Sequence, residues 1–148
     1  MFTLTLDPSI NETGWATDAQ AGGASGVIKT HGKTDAEKLL SLSEGLQTLC
    51  VSFQPHVVVV EVPAAFTYTR SQNKWSGKGM NTEALLKLSR AVGVCLLIAK
   101  ANAREVIEIK AHEWKGRAGK DVARLITGKK NHNEADAVML LQWFNARR

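Results

Sequence analysis

Hydrophobic and polar positions change period several times along the chain, and each change marks an element. Residues 2–7, F-T-L-T-L-D, alternate apolar with β-branched polar residues and stop at Pro8, which predicts a strand ending on Asp7. A turn is expected over Asn11 to Gly14. Residues 15–20, W-A-T-D-A-Q, and 24–31, A-S-G-V-I-K-T-H, then read as two strands around Gly22-Gly23. The three strands form an antiparallel meander. From Thr34 the period lengthens. Thr34-Asp35-Ala36-Glu37 is a capping box, and Leu39, Leu42, Leu46, Leu49 and Phe53 follow at helical spacing until Pro55. Residues 56–63, H-V-V-V-V-E-V-P, have no alternation, as expected of a strand covered on both faces.

A polar loop rich in Thr, Ser, Gly, Lys and Arg occupies residues 63–81. Leu85, Leu88, Val92, Cys95, Leu96 and Ala99 stripe a second helix from Asn81 to Lys100, and R-E-V-I-E-I-K, residues 104–110, is a fifth strand. A basic loop at Gly116 to Gly119, a short helix from Lys120 to Ile126 and a last helix from Glu134 to Asn145 complete the chain. The order βββαβαβαα, with helical crossovers, predicts an α/β fold with a mixed sheet.

The 148 residues are 44% hydrophobic, enough for one core and too few for two, so a single domain spanning 1–148 is expected. Cys50 and Cys95 form no C-x-x-C pair and sit among apolar neighbours, so buried thiols are expected rather than a disulfide or zinc site. The longest apolar run, residues 92–99, is far short of a membrane span, and no basic-then-apolar leader opens the chain; a cytoplasmic protein is expected. Charge is distributed unevenly. Residues 1–66 carry three lysines against seven acids, and residues 67–148 carry sixteen Lys and Arg against seven acids. A basic second half suggests a polyanionic partner, most simply nucleic acid. Arg70, Lys74 and Lys78 in the polar loop are candidate contacts.

Three acids stand where a buried charge needs a reason. Asp7 ends the first strand, Glu61 lies inside V-V-V-V-E-V, and Asp136 opens the last helix. Singly each has an ordinary alternative: Asp7 as a turn acid, Asp136 as a first-turn helix acid and Glu61 as half of a buried salt bridge; together, in this element order, those alternatives are hard to sustain. If the strands holding Asp7 and Glu61 are neighbours, the last helix would bring Asp136 to the same sheet edge. Clustered carboxylates stay ionised together only around a cation, and hard oxygen ligands select Mg²⁺, with Mn²⁺ able to substitute. Such a metal site beside basic loops suits phosphodiester hydrolysis.

These residues also carry a family resemblance. Residues 6–16, L-D-P-S-I-N-E-T-G-W-A, resemble the first motif of RuvC-type Holliday junction resolvases, in the ribonuclease H-like superfamily. V-V-V-V-E-V-P resembles their second acidic strand, M-N-T-E-A-L-L-K-L-S-R-A-V-G-V the helix that follows, and E-A-D-A-V the final motif, from about residue 3 to 144. The resemblance implies a five-stranded mixed sheet flanked by helices, and a homodimeric Mg²⁺-dependent endonuclease that resolves four-way DNA junctions by paired nicking. It makes Asp7, Glu61 and Asp136 catalytic metal ligands, and Lys115 and Lys120 phosphate contacts. Rival readings are an RNase H-like or branched-DNA flap nuclease, and a catalytically inactive DNA-binding module of the same fold.

Three positions depart from the family pattern. Ser9 replaces a frequent Gly. Ala64 stands where a junction-probing aromatic is common, with Phe66 and Tyr68 as nearby substitutes. Asn133 stands where Asp or His usually precedes the last acid. Helical rotation of about 100° per residue puts Asn133 and His132 on the face of Asp136 and turns Glu134 away. Asn133 also reads as the N-cap, with Asp136 at the third helical position. Family register favours Asn133 as the site neighbour, supplying an amide oxygen, with His132 second.

Overall fold

The computed structural model describes residues 1–63, 82–116 and 120–148, with Lys120 described by its backbone alone. Strands β1 (Thr3–Asp7), β2 (Glu12–Thr17), β3 (Ala24–Lys29), β4 (Val57–Val62) and β5 (Glu105–Lys110) form one mixed sheet in the order β3-β2-β1-β4-β5. The meander pairs antiparallel, while β1 pairs parallel to β4, and β4 to β5. Helices α1 (Asp35–Phe53) and α2 (Thr82–Asn102) provide the crossovers around β4. Three further helices follow β5: α3 (Ala111–Trp114), α4 (Lys120–Thr127) and α5 (His132–Asn145).

The unbroken valine run of β4 is buried on both faces, as its lack of alternation implied. Val58 and Val60 join Leu4 and Leu6 of β1 against Leu42, Leu46 and Cys50 of α1 and Ala91, Cys95 and Ala99 of α2. Val57 and Val59 point the other way, toward Ile109, Trp114 and Leu140. Burying such side chains is worth roughly 1.5–3 kcal/mol each, so the central strands anchor the sheet. Thr34 caps α1 as expected, its hydroxyl accepting from the Glu37 N–H while Glu37 Oε2 accepts from the Thr34 N–H. The helix ends where Gln54 turns left-handed ahead of Pro55.

Three expectations need correction. The second strand runs from Glu12, not Trp15, so Thr13 and Gly14 lie in the sheet and only residues 8–11 turn. Thr13 closes that turn: its Oγ1 accepts from the Ser9 N–H at 3.2 Å and its hydroxyl donates to the Ser9 carbonyl at 3.1 Å. The short helix α3 was not anticipated, because four residues are too few to show a period. The last helix begins two residues before Glu134. Its N-cap is Asn131, whose side-chain oxygen accepts from the Asn133 and Glu134 N–H groups, so Asn133 lies inside the helix and Asp136 one turn in. No helix among the described residues is long and apolar enough to cross a membrane.

Candidate active site

β1 and β4 run side by side with Thr3 opposite Val57, Thr5 opposite Val59 and Leu6 opposite Val60. Continuing this register sets Asp7 beside Glu61, on the sheet face that packs α5. The helix lies unusually close to that face because small residues meet there. Ala16 packs against Ala137, Ala135 is fully buried, and Gly14 faces the backbone of Asn133 and Glu134. Thr5 fastens the layer, its hydroxyl 2.7 Å from the Ala137 carbonyl oxygen. The alanines flanking Asp136 are therefore packing requirements, and the acid between them is delivered to the sheet edge.

The three acids meet a lysine. Lys115, just beyond α3, places its Nζ 3.0 Å from Glu61 Oε1 and 2.9 Å from Asp136 Oδ2. The Trp114 indole N–H donates to the other Glu61 oxygen at 3.0 Å, and the ammonium lies 5.0 Å from the Trp114 ring centroid. All are well covered: the Asp7 residue is 8% exposed, and the Glu61, Asp136 and Lys115 side chains are 14%, 7% and 24% exposed. Burial pushes the Glu61 carboxyl above the usual carboxylate range, and the nearby Asp136 adds to that, against the pull of Lys115 and Trp114. Burial alone would lower the Lys115 ammonium, but Glu61, Asp7 and Asp136 together outweigh it and hold its pKa above the ordinary value. The buried salt bridge considered for Glu61 therefore exists, and it lies inside the acidic cluster.

A cleft of about 380 Å³ opens onto this cluster, lined among others by Asp7, Lys115, His132, Asn133 and Asp136. His132 and Asn133 share the face of Asp136, as the helical rotation implied, although Asn133 is not the cap. Glu134 is turned away: it accepts from the Ser25 hydroxyl at 2.7 Å and pairs with Lys129 at 3.2 Å. Ser9 is absent from the residues with positive φ, so replacing a glycine there strains nothing. Trp114, Asn131 and Glu12 escaped the sequence reading. Asn131 and Asn133 both donate to Glu12 Oε1, a contact between residues more than a hundred positions apart that no spacing rule exposes. The Lys120 side chain and Phe66, Tyr68, Arg70, Lys74 and Lys78 lie outside the described residues.

Among the described residues no three of His, Cys, Asp or Glu stand close enough together to ligate one metal ion. Two of the carboxylates, Glu61 and Asp136, are instead bridged by the Lys115 ammonium, with Asp7 lining the same cleft as Asp136 and Lys115. All donors are hard oxygens of acidic groups, the set that hard divalent ions prefer. The donor chemistry therefore suits such an ion, and the carboxylates would have to draw together, with Lys115 withdrawn, to hold one.

No protein-family model matches the chain. A curated relative from Rickettsia prowazekii (strain Madrid E), a crossover junction endodeoxyribonuclease RuvC, is 29% identical over 160 residues, covering 95% of this chain and 94% of that protein. Its counterpart from Sinorhizobium medicae (strain WSM419) is 34% identical over 108 residues, 68% of this chain and 57% of that protein. Among solved structures, Thermus thermophilus RuvC in complex with a Holliday junction substrate superposes with a TM-score of 0.73 at 19% identity, over 99% of this chain and 95% of that one. A second Thermus thermophilus RuvC structure gives 0.64 at 20% identity, over 94% and 90%. Like that structure, the chain has a mixed five-stranded sheet flanked by helices, and over nearly its whole length it is similar to crossover junction endodeoxyribonucleases of the RuvC type.

Proposed function

We propose that residues 1–148 act as one RuvC-like nuclease domain that resolves four-way DNA junctions by paired, metal-dependent nicking. The observation that carries this reading is the bridging of Glu61 and Asp136, from a strand and a helix, by the single Lys115 ammonium, with Asp7 of the neighbouring strand lining the same open cleft. Asp7, Glu61 and Asp136 are the residues that would hold Mg²⁺, with Mn²⁺ as a substitute. When bound, such ions lower the pKa of water and stabilise the leaving oxygen of a phosphodiester. The remaining work falls to the chain. Lys115 offsets the repulsion between the carboxylates, and so keeps the cluster assembled until DNA and metal arrive. Released from the acids, its ammonium would be free to contact the DNA backbone. Asn133 contributes an amide oxygen to metal or water, with His132 as a second neighbour. Arg70, Lys74, Lys78 and Lys120 hold the DNA backbone, while Phe66 and Tyr68 stack at the branch point.

The direct test compares a synthetic four-way junction with linear duplex, with and without Mg²⁺. Metal-dependent symmetric nicks in the junction are expected, with the duplex untouched. Equal cutting of duplex, flaps and junctions would demote the protein to a general nuclease, and binding without cleavage would leave only an inactive DNA-binding module.

Symmetric nicks need two sites related by a twofold axis, so the active form is a homodimer. The exposed side of α2 offers a surface: Leu86 and Leu97 are 53% and 70% exposed, and Gly93 between them has open space above it. Light scattering of the native protein at micromolar concentration should report a dimer, and Leu97→Glu should report a folded monomer that loses paired nicking. An active monomer on junctions would remove the claim.

Binding should weaken steeply with salt. Lys120→Ala is expected to flatten the log–log salt slope by about 0.9, one phosphate's share. An unchanged slope would make Lys120 a solvated surface residue.

A further inference from the structure

The Asn133 amide has a donor end and an acceptor end, and its surroundings decide which faces the cleft. Nδ2 lies 3.1 Å from Glu12 Oε1 and 3.4 Å from the Glu12 carbonyl oxygen, both acceptors. Only the nitrogen end can donate, so this network selects the amide orientation. The Asn133 oxygen is thereby left at the end of the amide away from Glu12, and the residue lines the cleft together with Asp7 and Asp136. Among the described residues no buried polar side-chain atom lacks a partner, so an oxygen with no protein donor at this position is one that solvent reaches.

Glu12 comes from the start of β2, across the sheet edge from α5. The same Oε1 accepts from Asn131 Nδ2 at 2.8 Å. Asn131 in turn caps the helix, its Oδ1 accepting from the Asn133 N–H at 2.9 Å and the Glu134 N–H at 3.2 Å. One carboxylate thus holds two asparagine amides, one that starts the helix and one that faces the site. We propose that Glu12 is a positioning residue of the active site, aiming the Asn133 carbonyl oxygen into the cleft as a neutral oxygen ligand for the divalent cation or its water. The inference rests on the nuclease reading above, but its physical content does not require turnover. A neutral amide placed by chance would present its NH₂ half of the time, and an NH₂ repels a cation. Glu12 removes that orientation.

Two arms test it. In the first, Mn²⁺ binding is measured by calorimetry without DNA, and the Asn133 side-chain NH₂ is followed by ¹⁵N NMR. Glu12→Ala should move that NH₂ resonance to the position of a solvent-exposed amide and weaken Mn²⁺ about 10- to 100-fold, the usual effect of removing a group that orients a ligand. Glu12→Gln keeps an acceptor oxygen and should stay within about threefold of native. Glu12→Asp keeps the charge but withdraws it, and shows the same loss of Mn²⁺ affinity even if Glu12→Ala fails to fold. In the second arm, junction cleavage by Glu12→Ala and Asn133→Ala should fall in kcat with junction Kd unchanged. The double variant should be no worse than the worse single one, because the two act as one unit. Asn131→Ser, which keeps a capping hydroxyl, should stay within about twofold. Native Mn²⁺ affinity in Glu12→Ala with only a lowered melting temperature would make Glu12 a helix fastener and overturn the proposal. If the native protein cuts no junction, the nuclease reading fails, while the NH₂ and Mn²⁺ measurements still decide the role of Glu12.

Discussion

Asp7→Asn and Glu61→Gln are expected to abolish junction cleavage while junction binding survives. Each swap keeps shape and removes one charge from a cluster of three carboxylates facing one ammonium. Loss of a ligand that acts as part of a unit should lower the cleavage rate by about three orders of magnitude or more. Binding should hold or tighten, because a carboxylate beside the phosphate path repels DNA. Stability should move the other way from activity. In the absence of metal the acids outnumber Lys115, so Asp7→Asn relieves repulsion, and its melting temperature should equal or exceed that of the native protein. Glu61→Gln is less benign, since its new NH₂ must face either the Trp114 indole N–H or the Lys115 ammonium, both donors. Gel-shift and cleavage assays on the same junction, with thermal melts, check all three statements. Near-native cleavage by Asp7→Asn would sink the metal-site reading.

Gly14→Ala is the second large effect, and it comes from packing rather than charge. A Cβ at position 14 would overlap the Asn133 carbonyl and come within 2.7 Å of the Glu134 backbone nitrogen. Those are backbone atoms of a helix pinned by Thr5 and Asn131, so they cannot step aside as a flexible side chain would. Overpacking of this kind costs about 3 kcal/mol at the upper end of its usual range. For a chain of this size that lowers the melting temperature by roughly 10 °C. The lifted helix would also carry Asp136 away from Lys115, so cleavage should fall well beyond what the residual folded fraction explains. A variant that melts like native protein would show that α5 stands farther from β2 than described.

How legible this was differs from element to element. The valines of β4, the stripe of α1 and the Thr34 capping box follow from period and side-chain chemistry that act within a few residues. The start of β2 was misplaced because a Thr-Gly pair reads locally as a turn. Its reason for lying in a strand is the helix that crosses above Gly14, which is remote in sequence. From the sequence alone Asn133 also fits the cap, for a similar cause. Two asparagines separated by one residue offer equivalent caps, and only the anchoring of Asn131 to Glu12 chooses between them. Helical rotation still predicted the face correctly, because shifting a helix start does not change which residues share a side.

The sequence by itself determined the layered α/β order, the strand that is buried on both sides and the acids that would need a reason to be buried. These are properties of composition and period, and short-range physics suffices to read them. Tertiary structure alone decided that the cation among those acids is Lys115, that Trp114 holds the far oxygen of Glu61, and that the Asn133 amide donates to Glu12. Each of those is a contact between distant segments, set by sheet register and by how closely α5 can approach two small residues, Gly14 and Ala16. Charge and hydrogen bonding act over a few ångströms of space, and the chain's own order does not contain those distances until it folds.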